Sequence, residues 1–171
     1  MPAPAMVRPG RGGGMRSAVL NSGRILVRDD VPEPVPGFGQ VLVEVAACGI
    51  CGSDLHFAKH GQTMLDLGSR MKGMPSLGTQ EAVDLSRDVY MGHEFAATVL
   101  EAGPDTDAPQ PGTVVTSIPI LVTPAGIEPI VYSNNVHGGY SERMLLSAPL
   151  LVPVPAGTFK ALVVASVLKQ P

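Results

Sequence analysis

Two separated segments of the chain carry side chains that bind transition metals. Cys51 lies within the segment GICGSDLH (49–56), and His93 and Glu94 follow far downstream. Zinc prefers thiolate and imidazole ligands and also accepts carboxylates. A catalytic zinc needs three protein ligands and an open position for water or substrate. We therefore predict a zinc site with Cys51 and His93 as ligands and with Glu94 as the adjacent carboxylate of the site.

Three polar residues close behind Cys51 suit the handling of protons around such an ion. Asp54 is placed to accept the second ring proton of a ligating histidine, which is the usual outer partner of a metal-bound imidazole. Ser53 can pass a proton from a metal-bound hydroxyl, and His56 can carry it onward. We predict Ser53 and His56 as catalytic relay residues and Asp54 as the carboxylate that orients His93. Ser53 or Asp54 could also simply cap a short helix.

The two cysteines leave two other interpretations open, because Cys48 and Cys51 form a CxxC pair. The pair could be half of a zinc knuckle, which needs two further ligands. It could instead be a redox dithiol, which is expected in a βαβ context. Neither context is found in the sequence, so both interpretations are weaker than the zinc site above.

The composition indicates a single, mainly β domain. The chain has 171 residues, of which 44% are hydrophobic and only 4% aromatic, with no Trp. This length suits one well-packed domain with a core of small aliphatic side chains. Twenty Gly and 17 Pro are too many for a helical bundle and are typical of short strands joined by turns.

Charge and cysteine usage exclude several classes of protein. A net charge of −3 and a pI near 5.7 provide no basic surface for nucleic acid. The sequence has no apolar run of the roughly 20 residues that a membrane span requires. Two cysteines three positions apart cannot form the set of disulfides that stabilises a small secreted domain. We expect a cytoplasmic protein with no nucleic-acid or membrane partner.

The order of patterns along the chain predicts a small, partly open β-barrel. Residues 1–14 are rich in Pro and Gly and are predicted to be a disordered leader. Residues 58–90 form a long polar segment. A segment of this length is expected to be a functional loop, to be partly helical, or to be disordered. A short helix is expected after Cys51, and 159–168 could form another helix. The predicted strands are 15–20, 25–28, 41–46, 93–102, 113–118, 130–133, 140–146 and 150–154.

Four motifs occur together in a specific order: VLVEVAACGICGSDLH, MGHEF, PGTVV and GGYSERMLL. In this order they resemble the zinc-dependent medium-chain alcohol dehydrogenase family, specifically its N-terminal GroES-like catalytic domain. The resemblance covers residues 15–157. It implies a mainly β, GroES-like, partly open barrel with short helices.

The resemblance also implies an activity and a set of roles. Members of the family oxidise a small alcohol at one catalytic zinc, with NAD or NADP as the acceptor. By motif position, Cys51 and His93 resemble the first two zinc ligands and Glu94 the acidic neighbour close to the metal. Ser53 resembles the relay hydroxyl and His56 the outer relay histidine. Asp54 resembles the carboxylate that orients His93.

Three features depart from the family pattern. No G-x-G-x-x-G motif follows a strand, so a Rossmann domain is absent from this sequence. A third ligand, Cys or Glu, is expected soon after 151–157, but the divergent tail 158–171 has no Cys, Asp or Glu. The four-cysteine lobe of many members is missing between Ser117 and Gly139. A shifted reading frame or premature stop would explain the tail, and the chain is expected to be inactive alone.

Two alternatives follow from these departures. The chain could be a non-enzymatic zinc-binding or protein-interaction module that uses the surface left by the missing domain. It could also be half of a split enzyme, completed by a separate Rossmann partner, or it could form a homo-oligomer.

Overall fold

The computed structural model of the protein describes residues 14–70 and 83–155. Within these ranges the chain forms ten strands, one long helix and a single 3-10 turn. The mainly β fold is therefore confirmed, and the strands of the described part lie in open sheets rather than in a closed barrel. The elements are β1 (Met15–Asn21), β2 (Arg24–Val31), β3 (Gln40–Gly49), α1 (Gly52–Arg70), β4 (Val89–Tyr90), β5 (Glu94–Ala102), β6 (Val114–Ser117), β7 (Ile120–Thr123), β8 (Gly126–Pro129), β9 (Arg143–Ser147) and β10 (Leu151–Pro153).

A five-stranded sheet with the order β10-β6-β5-β3-β9 carries the main core. β3 pairs with β5 in an antiparallel register that places Gly49 opposite Glu94. The alternating valines of β3 explain this element, because Val41 and Val43 are fully buried in a cluster of aliphatic side chains. Since antiparallel neighbours exchange ends, the last residue of β3 lies beside the first residue of β5. This pairing brings the two metal-binding motifs together.

A three-stranded sheet, β2-β1-β4, lies next to the larger one. Its hairpin turns at Ser22 and Gly23, which both have positive φ angles of 49° and 75°, as the predicted Asn-Ser-Gly turn requires. The two sheets are joined where Ser17 forms an antiparallel bridge with Ser141. The two buried hydroxyls also hydrogen-bond at 2.8 Å. The link holds the β1 sheet against the strand that follows the GGYSE motif.

Helix α1 is longer than the short helix expected after Cys51. It extends to Arg70 and bends at His60, whose φ and ψ of −131° and 22° are not helical. Gly61 follows the bend, which fits the low helix propensity of glycine. Phe57 anchors the helix, because its ring is 1% exposed and stacks on Tyr132 with the centroids 3.8 Å apart. The helical part of 58–90 is thus confirmed as far as residue 70, and 71–82 lie outside the described residues.

The segment after β6 differs from the prediction. A strand over 130–133 was expected, but only Ser133 pairs, in an isolated bridge with Tyr90. Ile130 is 1% exposed and its amide donates a hydrogen bond to the carbonyl of Pro119, so this short run is an irregular segment anchored by Ile130. The β7–β8 hairpin precedes it and was not predicted. Short apolar runs do not distinguish a strand from another buried segment, which explains the error.

Two other predicted segments lie outside the described residues. These are the leader, apart from Gly14, and the helix proposed over 159–168. Among the residues that the structure describes, no helix combines the length and the apolar character needed to traverse a lipid bilayer.

Candidate metal centre

Three potential ligands meet where β3 ends and β5 begins. The donor atoms of Cys51, His93 and Glu94 all lie within 4.8 Å of one another. Cys51 and His93 are half-buried, whereas Glu94 is exposed. Gly49 makes room for the carboxylate, since a Cβ at this position would lie 2.8 Å from Glu94 Oε2. The centre is therefore built from the two motifs that the sequence singled out, which lie just after β3 and at the start of β5.

Asp54 reaches both the start of α1 and the ring of His93. Its Oδ2 accepts a hydrogen bond from the amide of Cys51 at 3.1 Å, as an acidic residue in the first turn does in a capping box. Its Oδ1 lies 3.5 Å from His93 Nδ1. Both of these atoms are buried and have no hydrogen-bond partner within the described part of the chain. Because each is the natural partner of the other, a small movement would satisfy both and leave His93 Nε2 available to a metal.

Tyr140 is a participant that the sequence did not identify. Its hydroxyl donates a hydrogen bond to Asp54 Oδ2 at 2.8 Å. Burial and this bond to a carboxylate raise the pKa of Tyr140, so the phenol remains a donor. Tyr140 thereby fixes the buried Asp54, which is only 3% exposed. The GGYSERMLL motif was the available signal, although it was used only as part of a family pattern.

Cys48 has a different environment from Cys51. Its thiol is partly buried, and this desolvation raises its pKa to about 12. Two glycines leave the space for its sulfur: a Cβ at Gly139 would lie 2.6 Å from Cys48 Sγ, and one at Gly92 would lie 3.0 Å from it. Both cysteines are free. Among the described residues the donor cluster includes Cys51 and not Cys48, so the knuckle and dithiol interpretations gain no support from the structure.

The two predicted relay residues occupy different positions. Ser53 Oγ lies 3.4 Å from His93 Nε2 and is therefore part of the centre. His56 is exposed on α1, where its ring lies 4.9 Å from the ring of His60. The structure thus brings Ser53 into the centre and leaves His56 on the solvent side of the same helix.

The donor set fits a zinc ion. Tetrahedral ligands at zinc–ligand distances of about 2.0–2.3 Å lie about 3.5 Å from one another. Donor atoms within 4.8 Å can reach this spacing through small side-chain rotations. One sulfur, one imidazole nitrogen and one carboxylate oxygen are the ligand types that zinc uses, and the facing Asp54 and His93 supply the outer hydrogen bond.

Sequence comparison identifies relatives of the chain. The family model of the alcohol dehydrogenase GroES-like domain matches residues 37–156. Scyllo-inosose 3-dehydrogenase of Thermotoga maritima is 36% identical over 78 residues, which are 45% of this chain and 16% of that protein. (R,R)-butanediol dehydrogenase of Neisseria gonorrhoeae is 34% identical over 103 residues, which are 60% of this chain and 26% of that protein. The chain thus spans about a quarter or less of the length of these two relatives.

Structural comparison leads to the same family. A crystal structure from Sinorhizobium meliloti, assigned to the zinc-binding dehydrogenases and bound to NADP, shares 28% identity at a TM-score of 0.58. The match covers 83% of this chain and 39% of that one. The 2R,3R-butanediol dehydrogenase of Bacillus subtilis, at 24% identity and a TM-score of 0.57, has the same fold over 84% of this chain and 41% of its own. The domain match, which covers most of the sequence, shows that the chain belongs to the zinc-dependent medium-chain alcohol dehydrogenase family through its GroES-like domain.

Proposed function

We propose that the chain is the zinc-binding part of an alcohol dehydrogenase, an oxidoreductase that acts on a CH–OH group with NAD or NADP as acceptor. The convergence of three donors of the zinc type, from Cys51, His93 and Glu94, carries this proposal. The activity is proposed for a protein that also contains a nicotinamide-binding domain, because the chain matches well under half of each relative. A separate Rossmann partner could supply that domain, and the chain could also form a homo-oligomer.

The residues of this chain would divide the work as follows. A bound zinc would polarise the alcohol oxygen, and the nicotinamide would accept the hydride. Asp54 Oδ1 lies 3.5 Å from His93 Nδ1 and would accept its proton, which would leave Nε2 as the nitrogen available to a zinc ion. Ser53 would accept the hydroxyl proton of the substrate while releasing its own hydroxyl proton toward His56, since its oxygen lies 3.4 Å from His93 Nε2 and so beside the position that a zinc ion would take. His56, exposed three residues further along α1, passes the proton to solvent.

The domain limits and the location are part of the same proposal. We assign residues 15–157 to the GroES-like domain, because the β1–β2 hairpin packs on the part matched by the family through the Ser17–Ser141 link. A cytoplasmic location is supported by the two free cysteines, since reducing compartments keep thiols unpaired.

Metal analysis of the purified chain tests the zinc site without requiring turnover. We expect one zinc per chain, and we expect it to be lost in Cys51→Ala and in His93→Ala. Cys48→Ala is the matched control, because it removes a thiol three residues away that does not belong to the donor cluster. Its zinc content should equal that of the parent.

Cobalt substitution provides a second measurement. A thiolate bound to Co²⁺ produces an intense near-ultraviolet charge-transfer band, which should be present in the parent and in Cys48→Ala but absent from Cys51→Ala. Zinc retained at parental levels in Cys51→Ala, or a cobalt spectrum without thiolate character in the parent, would contradict the assignment.

A further inference from the structure

Two histidines outside the candidate metal centre lie next to each other on the exposed face of α1. His56 and His60 are four residues apart, and both are exposed. Their ring centroids are 4.9 Å apart, with the planes tilted by 48°. Neither residue belongs to the cluster formed by Cys51, His93 and Glu94. Residues at positions i and i+4 lie on one face of a helix, which is the spacing that lets two histidines of a helix grip one ion.

The ring separation matches the geometry of chelation. When two imidazoles bind one ion with metal–nitrogen distances of about 2 Å and a near-tetrahedral angle, their ring centroids lie about 5 Å apart. The observed 4.9 Å already includes the bend of the helix at His60. The rings therefore need to rotate, but not to approach, in order to share an ion.

We propose that His56 and His60 form a second transition-metal site, a two-imidazole chelate that takes a divalent ion of the Zn²⁺ or Cu²⁺ class and keeps water at the remaining positions. The site is weaker than the centre at Cys51 because it offers two neutral nitrogens and neither a thiolate nor a carboxylate from the cluster. It uses none of the residues of that centre, so it does not depend on the proposed zinc site.

Occupancy of this site would have a functional consequence, which does rest on the proposed function. The ion would occupy a ring nitrogen through which His56 exchanges protons with solvent. Excess zinc would then slow the proton relay without displacing the ion at Cys51. Inhibition by excess zinc would therefore follow the filling of the second site and would be relieved in His60→Gln.

Calorimetric titration of the tag-free, metal-depleted chain with Zn²⁺ tests the site. We expect a tight and a weak binding phase. His60→Gln should retain the tight phase and weaken the second at least about tenfold, because the chelate advantage of a second linked ligand is lost. Cys51→Ala should show the reverse, with the tight phase lost and the weak phase kept. Lys59→Gln is the control for an exposed substitution on the same turn, and both phases should persist.

Cu²⁺ bound to a His93→Ala variant provides the confirming spectrum. In this background the exposed histidines of the described chain are His56 and His60, so electron paramagnetic resonance should report two nitrogen ligands. With His60→Gln added, one nitrogen should remain. The proposal is overturned if the weak calorimetric phase is unchanged in His60→Gln, or if the number of nitrogen ligands is the same in both copper samples. Failure of the tight phase alone would count only against the zinc site at Cys51.

Discussion

At the scale of single residues, the centre depends on side chains whose positions are held by their neighbours. Asp54 is the clearest case, because one oxygen is held by Tyr140 and the amide of Cys51 while the other faces the ring of His93. Burying a carboxylate this deeply is costly unless hydrogen bonds satisfy both oxygens. The group that can satisfy the second oxygen of Asp54 is the ring of His93, a proposed zinc ligand. Gly49 contributes differently, by leaving space for Glu94.

Replacement of Asp54 tests its positioning role. Asp54→Asn should weaken zinc binding by about 10- to 100-fold, because the uncharged amide is a poorer partner for the second nitrogen of a ligating histidine. Competition with a chromophoric chelator would measure the change. Tyr140→Phe keeps the carboxylate and removes only its donor, so its loss of affinity should be smaller. Equal affinity in Asp54→Asn and the parent would refute the role of Asp54.

Gly49→Ala tests the space beside Glu94. The added Cβ would lie 2.8 Å from the carboxylate oxygen, so the side chain must move away from the other two donors. We expect weaker zinc binding with little change in the free energy of unfolding, because the displaced carboxylate is exposed. Gly52→Ala is the matched control, since a Cβ there meets nothing within 4 Å. Equal zinc affinity in the parent and in both variants would show that zinc binding does not need the space that Gly49 leaves beside Glu94.

At the scale of elements, one strand pair and one helix position the centre. The antiparallel register of β3 and β5 places Gly49 opposite Glu94, and α1 begins immediately beyond Cys51. The helix is held by Phe57, whose buried ring stacks on Tyr132 in the segment before β9. Ser53, Asp54 and His56 are therefore positioned by an anchor that takes no part in the chemistry.

Truncation of the Phe57 side chain should strongly reduce the stability of the fold. Phe57→Ala should lower the free energy of unfolding by about 3–5 kcal/mol, the usual cost of removing a large buried aromatic side chain. Urea denaturation followed by circular dichroism would measure it. Leu55→Ala, at a neighbouring position that is 53% exposed, should change the stability by less than about 1 kcal/mol. Similar midpoints for the two variants would show that α1 is not anchored at Phe57.

At the scale of the whole molecule, stability should depend on pH through a half-buried histidine. His137 packs edge-to-face on Tyr90, with centroids 4.5 Å apart, and desolvation lowers its pKa from 6.5 to about 4. The folded state therefore favours the neutral ring. Between pH 6.5 and about pH 4 the unfolded chain binds the additional proton, so stability falls as the pH is lowered through this window. Protonation of His137 should lower the free energy of unfolding by about 3 kcal/mol over the whole window.

Comparison of two histidine variants isolates this contribution. His137→Phe keeps an aromatic ring against Tyr90 and removes the titration, so its unfolding free energy should fall less than that of the parent between pH 7 and pH 4.5. His60→Gln is the control, because it also removes one histidine but keeps the His137–Tyr90 contact, so the contribution of His137 should remain. The prediction fails if His137→Phe and the parent lose the same stability across this range.

Short sequence patterns were enough to predict several strands, one hairpin and the candidate metal-site residues. The alternating valines predicted β3, and the Asn-Ser-Gly turn predicted the β1–β2 hairpin, because both depend on residues that are close in sequence. The motifs around Cys51 and His93 predicted which residues would be candidates for a metal site. Their roles remain predictions, although the structure brings their donor atoms together.

Other features were decided only by tertiary structure, since they depend on contacts between distant segments. The run at 130–133 was predicted as a strand but is an irregular segment, because its partner at β4 supplies only one bridge. Cys48 and Cys51 look alike in sequence, yet glycines from two other segments surround one sulfur and leave the other beside His93. Tyr140 reaches Asp54 only because β9 pairs with β3. Local sequence specifies backbone preference and side-chain chemistry, whereas burial and long-range hydrogen bonding are determined by how the strands pair.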